Sequence, residues 1–125
     1  MYCVETQGIE WDWFACDGDG HVALVSSGGS GQVPPVLLAH EVAIDRLLQF
    51  LGIRCDKESW AMAADRGFFG YDVDANGGAF RRVSSPARPA RLDDVPEPHR
   101  SVIGLAVVRG CFFELPLLDC SMVSF

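Results

Sequence analysis

Two short runs in the chain gather groups able to do chemistry. Asp17-Gly-Asp-Gly-His21 sets two carboxylates beside an imidazole, a set that can hold a cation weakly. The same residue types are those of a tight turn, because Asp and Gly tolerate the positive φ that such turns use. The turn is the reading adopted, and no metal is expected there. Asp72-Val-Asp-Ala-Asn-Gly77 copies positions 1, 3, 5 and 6 of a calcium loop, but Val83 stands where the twelfth position needs a bidentate acid. Its flanks also alternate like strands, so a hairpin turn explains it better. His40-Glu41 begins like a zinc-protease helix, yet Ile44 occupies the place of the second imidazole.

On a helical wheel His40 falls on the apolar stripe with Ile44, Leu47 and Leu51. Such a histidine is either a base poised by burial or a half-covered side chain with one satisfied hydrogen bond. Nucleophilic chemistry lacks a recognisable setting. Five cysteines (3, 16, 55, 111 and 120) and three histidines form no papain-like context, no Gly-x-Ser-x-Gly elbow and no zinc-finger spacing. Gly28-Gly-Ser-Gly31 lies between a strand and a helix and offers amides to an anion. It lacks the Gly-Lys-Ser/Thr of a phosphate loop, and Pro34-Pro35 removes two donors. No catalytic residue, cofactor or metal is therefore assigned.

The elements that must position these residues are legible from periodicity. Trp11, Trp13 and Ala15 alternate with Asp12, Phe14 and Cys16, the turn residues follow, and His21–Ser27 alternates again. That is a β-hairpin. From Val36 to Leu51 the period is helical, with Pro35 at the start, Gly52 at the stop, and Glu41, Asp45 and Gln49 on the polar side. Asp56 caps a shorter helix through Trp60 to Arg66, with Gly67 beyond it. Phe68–Asp74 and Ala79–Ser85 form a second hairpin about Asn76-Gly77. Asp93 or Asp94 caps a short helix, Val102–Val108 is a helix end or a buried strand, and Cys111–Leu115 reads as a strand. The fold class expected is α+β. An antiparallel sheet of hairpins packs on two or three helices in one domain, residues 1–125, with 116–125 an edge strand or a loose tail.

Composition bounds the function. At 125 residues and 49% hydrophobic, one domain can bury a core without metal or disulfide support. No apolar run approaches a membrane span of roughly 18 residues. The net charge of −7 argues against nucleic acid, which needs a basic stripe. The start, Met1-Tyr2-Cys3-Val4-Glu5, lacks a basic segment followed by an apolar one, so a cytoplasmic location with five free thiols is expected. Cys16, Cys55 and Cys111, in apolar company, are expected in the core. The acids are uneven. Residues 1–60 carry nine against three bases, a field able to steer a basic partner.

Several stretches together resemble the small immunity-type proteins of bacteria, antidotes to polymorphic or contact-dependent toxins. They are Glu10-Trp-Asp-Trp-Phe14, Asp17-Gly-Asp-Gly-His-Val-Ala-Leu24, the Gly-rich loop to Val33-Pro34, Gly67-Phe-Phe-Gly-Tyr-Asp72, Ser85-Pro-Ala-Arg-Pro89 and Leu92-Asp-Asp-Val-Pro96. The resemblance covers residues 9–100 and brings no catalytic residues. It implies an α+β fold, a cytoplasmic site and a protein partner, the cognate toxin, without turnover. An acidic surface suits a basic, nuclease-type toxin, and the residues expected to dock it are Asp12, Asp17, Asp19, Glu41 and Asp45. The alternatives are a small-ligand or regulatory module using Gly28–Gly31, or an enzyme centred on His40.

Overall fold

The computed structural model describes residues 4–5, 11–27, 32–53, 58–74 and 79–124. At its centre are β2 (Asp12–Asp17) and β3 (Val22–Ser26), paired antiparallel with Phe14 opposite Leu24. The short strands β1 (Val4–Glu5) and β4 (Gln32–Val33) form a separate antiparallel pair. β5 (Phe69–Val73) lies parallel to β3, and β6 (Phe80–Ser84) returns antiparallel to β5 through a bulge at Gly70/Tyr71. β7 (Val107–Val108) lies parallel to β2. β8 (Leu117–Leu118) and β9 (Val123–Ser124) complete opposite edges, giving the order β8-β6-β5-β3-β2-β7-β9.

The chain is thus mixed α and β, as expected, but the sheet is mixed rather than purely antiparallel. The parallel pairs follow from the connections. The helical segment between β3 and β5 is a crossover, which brings β5 back in the same direction as β3. Residues 117–118 and 123–124 are edge strands, not a loose tail. Cys111–Leu115 is not a strand, because Phe112–Glu114 closes a 3-10 turn. The ambiguous run 102–108 divides into the end of α4 (His99–Ile103) and β7.

The helix expected over 36–51 is two helices, α1 (Pro35–Leu38) and α2 (Glu41–Leu51). His40 sits between them with non-helical backbone (φ −117°, ψ 23°), while Leu37 and Ile44 on either side of the break are both buried. α2 buries Ile44, Leu47, Leu48 and Leu51, and Gly52 ends it in the left-handed conformation. α3 (Ser59–Asp65) follows. The proposed Asp56 cap and the Asn76-Gly77 turn lie outside the described residues.

β2 and β3 are buried on both faces. Residues in register share a face, so Trp13, Ala15, Ala23, Val25, Phe69 and Tyr71 lie together. The C-terminal segment covers that face, with Phe112 against the rings of Phe69 and Tyr71 at 5.6 and 5.7 Å. On the other face Phe14 meets Phe68 edge-on at 6.0 Å, and Trp60 of α3 lies over Gly70. α2 and α4 pack against β2.

The buried Tyr71 phenol ties this cover down by donating to the Leu115 carbonyl at 2.6 Å. Burial pushes its pKa up to about 12, despite the Arg82 guanidinium nearby. The unfolded chain loses this proton first, near pH 10, so stability should fall as pH rises from about 10 to about 12 and level off above, a loss of about 2–3 kcal/mol. Tyr71→Phe should remove that alkaline loss and cost about 1 kcal/mol at neutral pH for the missing hydrogen bond. Urea titrations of both proteins across this range check it. An identical alkaline loss in the two would assign it elsewhere.

Candidate functional site

The five acids singled out in the sequence do not form one patch. Asp12 opens β2 and Asp19 lies in the turn beyond its far end, so they stand at opposite ends of the hairpin, roughly 17 Å or more apart along the strand. Asp19, Glu41 and Asp45 are exposed. Asp17 is only 3% exposed, and it is withdrawn from any surface contact. The outer face of α2 presents Glu41, Val42, Asp45, Arg46, Gln49 and Phe50. Val42 is 64% and Phe50 53% exposed. Phe50 stacks on His99 at 4.5 Å, which fixes its ring at the surface.

Asp17 instead organises a second centre. Its Oδ1 accepts from the amides of Asp19 (3.0 Å) and His21 (2.8 Å), closing the turn locally. Its Oδ2 accepts from the amide of Phe112 at 3.0 Å and lies 3.0 Å from His21 Nδ1. Burial raises the carboxyl pKa, but the Phe112 and His21 amides and the imidazole outweigh it and hold the group below its ordinary range. The Arg91 guanidinium donates to the Asp19 carbonyl, and Gly18 donates to the Gly110 carbonyl at 3.2 Å. The turn is the expected one, yet its first carboxylate is a buried hub rather than a solvated acid.

Cys111 joins this hub from the segment that covers the sheet. Its Sγ lies 4.0 Å from His21 Nδ1 and within 4.8 Å of a carboxylate oxygen of Asp19. Phe113 stands edge-on to His21 at 5.2 Å and to Phe69 at 5.0 Å. Asp17, Asp19, His21 and Cys111 each offer one ligand atom, all within 4.8 Å of one another. Cys111 is half-buried, not a core residue as expected. The sequence carried no sign of this meeting, because ninety residues separate the two halves and only the tertiary fold joins them.

As a nucleophile-and-base pair the arrangement is poor. Asp17 Oδ2 and Cys111 Sγ face the same ring nitrogen, whereas a relay needs the base between them, one partner on each nitrogen. The Phe113 amide favours the thiolate, but burial and the carboxylates of Asp19 and Asp17 prevail and push the Cys111 thiol up. A reactive cysteine needs the reverse.

His40 is the N-cap of α2, half-buried, and its side chain makes no capping bond. Gly28–Gly31 lies outside the described residues. Asp72 lies in β5 and accepts from the Val73 amide at 2.9 Å, so a strand leads into the supposed calcium loop where a helix is required. Asp94 accepts from the Arg91 amide at the start of a 3-10 turn, Leu92–Asp94, where a short helix was expected. Cys16 is buried as expected. Cys120 is disulfide-bonded. That corrects the expectation of five free thiols. Among the described residues no helix is long and apolar enough to cross a membrane. No protein-family model, curated protein or solved structure matches the chain.

Proposed function

We propose that the chain is a non-enzymatic binding protein that blocks a basic protein partner, as an immunity protein blocks its toxin, and that the outer face of α2 makes the contact. The observation that carries this reading is the exposure of Val42 and Phe50 on a helix face bearing Glu41 and Asp45. An exposed aromatic ring such as Phe50, bordered by charge, suits the anchor of a protein interface, and Val42 extends its apolar contact. The acids supply steering, in keeping with a net charge of −7. Asp12 and Asp19 stand apart from this face and contribute to the long-range field. The disulfide at Cys120 makes an oxidising compartment the better proposal for where the contact forms.

The probe is the C-terminal domain of the large secreted protein that this reading expects to be encoded directly upstream. Phe50→Ala should weaken its binding roughly 30-fold, or about 2 kcal/mol, with little change in association rate. The double change Glu41→Arg and Asp45→Arg should slow association about tenfold at low salt and flatten its salt dependence. Calorimetry and stopped-flow mixing read both. Unchanged affinity and unchanged salt dependence in these variants would show that the contact lies elsewhere.

A further inference from the structure

We propose that Asp17, Asp19, His21 and Cys111 together bind one zinc-class divalent ion. Only two of the four side chains are acids. An imidazole and a thiol complete the set, and the thiol arrives from a segment ninety residues away. Thiol plus imidazole selects zinc or cobalt over calcium and magnesium, which take oxygen alone. The two pairs made by the imidazole are spaced close to what a tetrahedral ion needs, and the widest pair of the four, within 4.8 Å, has to close by up to about 1.3 Å. Bond lengths of about 2.0–2.3 Å place nitrogen and oxygen ligands roughly 3.3 Å apart, and sulfur and nitrogen roughly 3.5 Å apart. His21 Nδ1 and Asp17 Oδ2 are 3.0 Å apart, and His21 Nδ1 and Cys111 Sγ are 4.0 Å apart. Shifts of about half an ångström, within the reach of rotating side chains, bring both pairs to those values.

The hydrogen bonds already present fit the ion rather than oppose it. Asp17 Oδ1 keeps its two turn amides, and Oδ2 keeps the Phe112 amide. The ion takes the one remaining lone pair, now facing the imidazole. Those amides hold the carboxylate in place as outer-shell partners do. Starting from neutral imidazole, the Nδ1 proton passes through solvent to Nε2, and Nδ1 bonds the ion. The thiol releases its proton to solvent, and sulfur bonds the ion. One proton leaves per ion, and nothing is oxidised or reduced. Phe113 walls one side of the ring. Four protein ligands make a closed, structural centre that clips the β2–β3 turn to the segment beginning at Cys111.

The test uses the full chain without an affinity tag, stripped with chelator and titrated with cobalt and then zinc. One equivalent of cobalt should give the intense visible bands of a tetrahedral site and sulfur-to-cobalt charge transfer. Zinc should bleach both, release one proton per ion and raise the melting temperature. Cys111→Ala should abolish the charge transfer and weaken zinc binding by about 100-fold or more, at or above the upper end of outer-shell effects. Asp19→Asn, at an exposed position and so compatible with folding, should weaken it by about 10-fold or more. The site is overturned by a pale octahedral spectrum, by no saturable binding, or by charge transfer or affinity that survives both substitutions.

Discussion

Asp17→Ala is expected to destabilise the metal-free protein by about 3–4 kcal/mol, the cost of leaving buried donors unpaired. The alanine methyl accepts nothing. The amides of Asp19, His21 and Phe112 and the His21 ring then lose their acceptor together. The first two amides sit in a turn that can take up some water, but the Phe112 bond is buried and joins the hairpin to the segment covering the sheet. Asp17→Asn should recover only part of the loss. Its oxygen replaces Oδ1, but its NH2 then meets the Phe112 amide, donor against donor. Chemical denaturation in the presence of chelator measures both. A loss under about 1 kcal/mol for Asp17→Ala would mean that the turn does not depend on this carboxylate.

Gly67→Ala is expected to cost about 3–5 kcal/mol, more than most single changes, because two penalties act at one position. The backbone at Gly67 has φ +88°, where a Cβ costs about 1–2 kcal/mol. That Cβ would also lie 2.5 Å from the Ala90 nitrogen and 2.8 Å from the Arg88 carbonyl oxygen. Those are backbone atoms, held there by the bond from the Ala90 amide to the Gly67 carbonyl at 2.9 Å, so neither can swing aside. Gly52 is the control. Its φ of +71° imposes the same kind of strain, but the nearest atom to its Cβ is the Arg66 guanidinium at 3.7 Å. Gly52→Ala should therefore cost only about 1 kcal/mol. Urea unfolding of the two variants separates strain from collision. Equal losses would remove the steric half of the argument.

The sequence made some of this plain. The first hairpin shows in the alternation of Trp13, Ala15 and the turn glycines, and the second in Phe69, Tyr71 and Val73. The buried stripe of α2, Ile44, Leu47, Leu48 and Leu51, shows in its spacing and in Gly52. These are signals within one element, where period and stop residue agree. The parallel pairs were hidden because pairing between distant strands leaves no local mark. The one available hint was that Val22–Val25 is apolar on both faces, as strands covered on both sides are. The break at His40 was masked because apolar residues continue across it, so the helical period runs on while the backbone turns. Cys111–Leu115 looked like a strand from its apolar residues alone, but Asp17 takes the Phe112 amide and the chain closes a 3-10 turn there.

The candidate site divides the same way. Glu41 and Asp45 were legible as the polar flank of a helix, and they are exposed. Val42 and Phe50 were not marked out, because an apolar residue off the stripe is ordinary until its exposure is known. From the sequence Asp17 reads as a turn acid open to a partner, since composition gives turn chemistry but not depth. Its burial comes from the Phe112 segment, which no spacing rule brings to it.

Under the proposed function the protein acts by occupying its partner and not by turnover. This is tested most directly by titrating the chain into the activity of the toxin domain and following inhibition over time. The expected result is a linear fall that ends at a fixed molar ratio and stays put thereafter. Inhibition that keeps growing with time at a small fraction of an equivalent would reveal turnover and contradict it.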